Sequence, residues 1–146
     1  MDDDTAAFNK VMAAFGLPRK TPAEQQQRSL AVAEATRGAT TVPLSVLEAC
    51  PELLELAGEI ARIGNANSLS DAGVAALTAM AGAEGAYYNV LINLAALKEL
   101  DQGAAPGFAD DARARADRAL AAANEHALDA SLAVQRLEQR LAGQAR

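Results

Sequence analysis

The chain has 146 residues, a formal net charge of −6 and only 3% aromatic residues. That length buries one sizeable core, and the acidic balance excludes nucleic acid and anionic membrane surfaces as principal partners. Alanine fills 37 positions and β-branched runs are missing, so the chain is expected to be all-α: a multi-helix bundle, one domain over residues 1–146, with helices approaching through small side chains.

The first predicted helix opens on Asp2, Asp3 and Asp4, where a helix N-terminus favours negative charge. Phe8, Val11, Met12 and Phe15 read as its apolar set, and Gly16 and Pro18 stop it. Thr21-Pro22-Ala23-Glu24 gives a second start: Thr21 as N-cap, Pro22 at the first helical position, Glu24 closing a capping box. This helix is expected to weaken between Gly38 and Pro43. A further pattern runs from Leu44 to Ile63, with Leu47, Cys50, Leu54, Ala57 and Ala61 on one line and Leu53, Leu56, Ile60 and Ile63 beside it. Pro51 falls inside, which predicts a kink or restart, and Gly64 ends the element.

The next helix is the one the rest is organised around. From Ala72 to Leu97 there is a single charge, Glu84. Val74, Leu77, Ala81, Tyr88 and Leu91 form one apolar stripe. Ala76, Met80, Ala83, Tyr87, Val90, Leu94 and Leu97 form another. Two stripes predict a long buried central helix, covered on most sides. Its remaining side, Gly82, Gly85 or Ala86, Asn89 and Asn93, is small and polar. Ser68 and Asp71 stand at capping-box spacing ahead of it. A membrane span is rejected, because Glu84, Asn89 and Asn93 would lie in mid-bilayer and the flanks lack clustered cations. Gly103 to Gly107 reads as a turn with Pro106. The last helix, about Phe108 to Ala142, carries Asp110 and Asp111 at its start and an apolar line of Ala116, Leu120, Ala123, Ala127, Val134, Leu137 and Leu141. No internal repeat or strand candidate is present.

Few residues carry recognisable chemistry. His126 has no ligand partners at metal spacing, so no metal is expected. Cys50 excludes an internal disulfide and reads as a buried structural thiol. The acidic start, Met1-Asp2-Asp3-Asp4, is unlike a basic secretory signal, and the expected compartment is the cytoplasm. Asn89 and Asn93, one turn apart, suit interhelical hydrogen bonding, an oligomer seam or ligand contact. Asn65, Asn67 and Ser68 suit a turn and a cap, or an anion held at a helix N-terminus.

The strings V-P-L from Val42, G-N-A-N-S-L-S-D-A-G-V-A-A from Gly64 and G-A-Y-Y-N-V-L-I-N-L from Gly85 resemble the formiminotransferase-cyclodeaminase C-terminal domain family, which includes stand-alone methenyltetrahydrofolate cyclohydrolases. D-x-x-A-F from Asp4 to Phe8, G-L-P from Gly16 and T-P-A-E from Thr21 extend the match. The resemblance implies an all-α fold, a homodimer built through long helices, and a folate substrate, polyglutamylated forms included, with no cofactor. It places the proposed proton donor on Asp4, whose simpler reading is a helix cap. It also implies that the family's opening P-G-G-G-S segment and first helix are not part of this sequence. Amide chemistry matches the mixed donor and acceptor edge of a pterin, so Asn65, Asn67, Ser68, Asp71, Asn89 and Asn93 become candidate substrate contacts. Arg19, Lys20, Arg62 and Lys98 are candidate cations for the glutamate tail. The acid at Asp4 is expected to be partly desolvated beside Asp2 and Asp3. The rival function is a non-catalytic helical dimerisation module derived from the same family.

Overall fold

The structure, a computed structural model, describes residues 2–100 and 107–144. It has four α-helices: α1 (Asp2–Phe15), α2 (Pro22–Ile63), α3 (Leu69–Leu100) and α4 (Phe108–Gln144). One 3-10 turn, Ala66–Ser68, precedes α3, and no strand occurs among the described residues. The all-α expectation stands. Most of the expected turn around Pro106 lies outside the described residues. Gly107 follows it with φ of 105°, a backbone state that only glycine adopts freely.

The helix starts follow local chemistry. Glu24 N–H donates to Thr21 Oγ1 at 3.2 Å, and Thr21 N–H returns a bond to Glu24 Oε2 at 2.9 Å. Lys20 N–H adds a second bond to that carboxylate oxygen at 2.7 Å, so the capping box is complete. Ahead of α3, Asn65 Oδ1 accepts from Asn67 N–H at 3.0 Å, and Ser68 N–H donates to the Asn65 carbonyl at 2.9 Å. Asn65 therefore organises that turn.

The weakening expected from Gly38 to Pro43 and the restart expected at Pro51 do not occur: α2 is continuous for 42 residues through Pro43 and Pro51. Two causes oppose the local cost of proline. One buried ridge, including Val32, Thr36, Thr40, Leu44, Leu47, Cys50, Leu54 and Ala57, runs the length of the helix, so packing favours continuing. Asn93 Nδ2 of α3 also donates, at 3.2 Å, to the carbonyl of Ala39, the one that Pro43 leaves without its i+4 backbone donor. Gly64 ends α2 as expected: its N–H bonds the Ile60 carbonyl, and a β-carbon there would run into the same oxygen.

The apolar faces differ from expectation in one consistent way. On α1 the buried residues are Ala7 and Ala14, while Phe8, Met12 and Phe15 are exposed. On α3 the buried face is Ala72, Ala76, Ala83, Ala86, Val90, Leu94 and Leu97. Val74, Leu77 and Tyr88 of the other stripe are exposed and Leu91 is half-buried, so burial of this helix is one-sided. On α4, Ala112, Ala116, Ala123, Ala130 and Ala133 are buried, whereas Leu128 and Leu132 are exposed. Leu120 and Val134 are half-buried. The side chains of Leu137 and Leu141 lie outside the description. Small side chains let helix backbones approach at these faces, while Leu44, Leu47, Leu54, Val90 and Leu97 are among the large side chains that stay buried.

The chain forms two compact units. The first comprises residues 1–45 and 86–116: α1, the first part of α2, the later part of α3 and the start of α4. Within it, Arg28 Nε donates to the Phe15 carbonyl at 3.2 Å and its guanidinium lies 5.3 Å from the Phe15 ring centroid, which closes the end of α1. The second comprises residues 46–85 and 117–146, where Ala61, Ala72 and Ala133 form a small core with Leu69 and Val134 against them.

Candidate functional site

In the first unit, three helices each contribute a pair of residues one turn apart to a cavity of about 400 Å³. α1 supplies Asp4 and Phe8, α2 supplies Ala39 and Pro43, and α3 supplies Asn89 and Asn93, with Val11 completing the wall. Residues i and i+4 share a helix face, so each pair points to one place without any special backbone. The volume falls in the range of small-molecule sites.

The cavity's lining is mixed in chemistry. Asp4 and Phe8 are exposed, Phe8 by 60%, and they bring a carboxylate and an aromatic face to the rim. The expected desolvation of Asp4 is not present: its side chain stands in solvent. Asn89 is exposed and Asn93 half-buried. Asn93 Nδ2 donates to the Ala39 carbonyl at 3.2 Å, which ties α3 to α2 at the cavity wall. Such an arrangement can present a proton donor, a stacking surface and amide groups to one planar, polar guest.

The other candidates sit elsewhere. Asn65, Asn67 and Ser68 belong to the turn before α3, and Asp71 lies exposed in its first turn. None of the four lines the Asp4 cavity. His126 is half-buried in a cleft of about 100 Å³ with Glu55, Arg62 and Asp129, and no metal-binding cluster occurs among the described residues. Cys50 is buried, its Sγ bonded to the Val46 carbonyl at 3.2 Å, and burial pushes the thiol above its ordinary pKa. It is a structural thiol. No helix among the described residues is long and apolar enough to cross a membrane.

Sequence reading missed Phe8, Val11, Ala39 and Pro43 as cavity residues. The signal available was Phe8 one turn after Asp4. Nothing in the sequence pairs Ala39 and Pro43 with α3, because that pairing is made by packing.

The sequence profile described as Formiminotransferase-cyclodeaminase matches residues 1–113. The chain belongs to the formiminotransferase-cyclodeaminase family. Among its relatives is the methenyltetrahydrofolate cyclohydrolase of Methylorubrum extorquens, 44% identical over 97 residues, which are 66% of this chain and 47% of that protein. The formimidoyltransferase-cyclodeaminases of Rattus norvegicus and Gallus gallus are 43% and 35% identical over 94 residues, 64% of this chain and 17% of each of those proteins. The match thus spans about half the bacterial relative and a smaller part of the vertebrate ones. In this formiminotransferase-cyclodeaminase family chain, every residue lining the Asp4 cavity lies within the matched region.

Proposed function

We propose that this chain carries the folate site of a one-carbon enzyme that either hydrolyses 5,10-methenyltetrahydrofolate to 10-formyltetrahydrofolate or cyclises 5-formiminotetrahydrofolate with loss of ammonia. The observation that carries the reading is the single cavity shared by Asp4, Asn89 and Asn93, in a chain whose relatives bear those two activities in their names.

Both reactions act on one carbon between two folate nitrogens. In the hydrolysis, water adds to the methenyl carbon, and the tetrahedral adduct loses the hydroxyl proton as the bond to N5 breaks and N5 is protonated. The products are the 10-formyl compound and one proton. In the cyclisation, N10 attacks the formimino carbon and gives up its proton. The amino group, once protonated, leaves as ammonia, and the methenyl cation remains. Neither changes the oxidation state of the carbon, so no redox cofactor is required. Each needs a proton delivered to a nitrogen, and Asp4 is the acid assigned to that task, with the asparagines holding the ring system. Folate bound over Phe8 would itself cover the exposed Asp4 and supply the desolvation that the open site lacks.

A homodimer and a cytoplasmic location complete the reading. The exposed stripe Val46, Ala49, Leu53, Leu56, Ile60 and Ile63 on α2 alternates spacings of three and four, the pattern of a helix–helix seam. A free, buried Cys50 suits a reducing compartment.

The test is the ultraviolet absorbance of 5,10-methenyltetrahydrofolate with and without protein, run beside ammonia release from 5-formiminotetrahydrofolate. One of the two is accelerated by the unaltered chain. Asp4→Asn lowers that rate by ~10²-fold or more, the usual contribution of a positioned general acid. Turnover unchanged by Asp4→Asn would remove the aspartate from the mechanism, and no acceleration of either reaction would favour the dimerisation module.

A further inference from the structure

Pro43 sits in the interior of α2 and has no backbone N–H, so the carbonyl four residues earlier, that of Ala39, loses the i+4 donor that a helix otherwise supplies. Neighbouring carbonyls are served from within α2: Thr41 Oγ1 donates to that of Gly38 and Ser45 Oγ to that of Val42. The Ala39 oxygen is served from another helix. Asn93 Nδ2 of α3, 54 residues away in sequence, donates to it at 3.2 Å. Pro43, Ala39 and Asn93 all line the same cavity.

We infer that Pro43 is a positioning residue for this site: by denying the Ala39 carbonyl its helical donor, it anchors the Asn93 amide and fixes which way round that amide faces. A carboxamide offers a donor end and an acceptor end of nearly equal shape. Left loose, it turns over and accommodates either kind of partner. With one Nδ2–H held by a backbone carbonyl and the amide's orientation fixed by it, Asn93 presents Oδ1 at a set place as an acceptor for a guest, and the site favours a group bearing an N–H or O–H donor at that point. The inference deepens the folate reading and rests on it for the identity of the guest, since a reduced pterin carries N–H groups along its edge. The anchoring itself is independent of that reading.

The experiment is a double-mutant cycle with Pro43→Ala and Asn93→Ala, read by denaturant unfolding and by the dissociation constant for 5-formyltetrahydrofolate, a stable, non-reacting probe. With Pro43 present, Asn93→Ala leaves the Ala39 carbonyl without its partner, and the folding equilibrium constant falls by about tenfold. In the Pro43→Ala background residue 43 has an N–H to offer, and the same substitution changes that constant by less than about threefold. Pro43→Ala alone keeps the fold and weakens the probe by about three- to tenfold, the cost of ordering a freed side chain on binding. The Asn93 side-chain amide gives a third reading by nuclear magnetic resonance: its proton exchange, slowed in the unaltered protein, quickens in Pro43→Ala. Equal losses from Asn93→Ala in both backgrounds would overturn the anchoring. Unchanged probe affinity in Pro43→Ala would overturn the positioning role. No binding of the probe by the unaltered chain would sink the folate reading and the recognition half of this inference, while the cycle still decides the anchoring.

Discussion

Thr21, Glu24 and Cys50 show side chains acting on their own surroundings. Thr21 Oγ1 serves the Glu24 N–H of α2, so Thr21→Ala lowers stability by ~1 kcal/mol, read as a shift of the denaturation midpoint. Cys50 is an acid whose folded-state pKa is raised by burial, which means folding favours the neutral thiol. Its contribution is complete below the unfolded thiol's pKa of 9.0 and erodes as pH rises from there towards the higher folded value. Stability of the unaltered chain therefore declines more steeply above about pH 9 than that of Cys50→Ala. Parallel pH profiles would show that the thiol contributes nothing to that slope. At this scale the sequence was informative wherever a residue acts on near neighbours: the capping box needed only Thr21 and Glu24 three apart. Asp4, Asn89 and Asn93 were singled out by motif and spacing. Phe8 was visible only as an apolar residue, and its place at the cavity rim depends on α1 turning its alanines inward.

The helices themselves were legible in type and, for three of the four, in extent. α2 was the exception, since two prolines and Gly38 read as breaks while the buried ridge through Leu44, Leu47 and Leu54 overrides them. Propensity is summed locally and packing is not, which is why a continuous helix of that length was not foreseen. The later part of α2 also passes close to α4: a β-carbon on Gly58 would lie 3.5 Å from the Cα of Ala130. That is ordinary contact, so Gly58→Ala is tolerated and gains up to ~1 kcal/mol of helix propensity. Gly58→Val forces the helices apart and costs about 1–3 kcal/mol. Unfolding both variants side by side decides it, and equal stabilities would mean that the approach of the two helices is not tight.

Taken as a whole molecule, the chain exposes many large apolar side chains, with Ile63 at 86% and Leu77 at 75%. An extended exposed apolar face marks an interaction surface. Under the proposed homodimer, the charged double variant Leu53→Glu, Ile60→Glu sediments as a monomer while keeping its helical circular dichroism, since both positions are exposed in the single chain. A dimer that survives those charges would place its interface elsewhere. The all-α class and the family were plain from composition and from the strings around Gly64 and Gly85. Which stripe of α3 faces inward was not, because both have helical periodicity and only the partners they meet distinguish them.

The alanine-lined interior has a consequence for how this protein tolerates change. At Ala83, Ala116 and Ala123, each at 0% exposure, shortening leaves only glycine to try, and almost no volume is at stake. Growth is the damaging direction: valine at any of these fully buried points demands room that a close-packed interior does not leave. At these alanine positions the permissible alphabet is thus set by an upper bound on size, so drift there is expected to exchange alanine with serine or glycine.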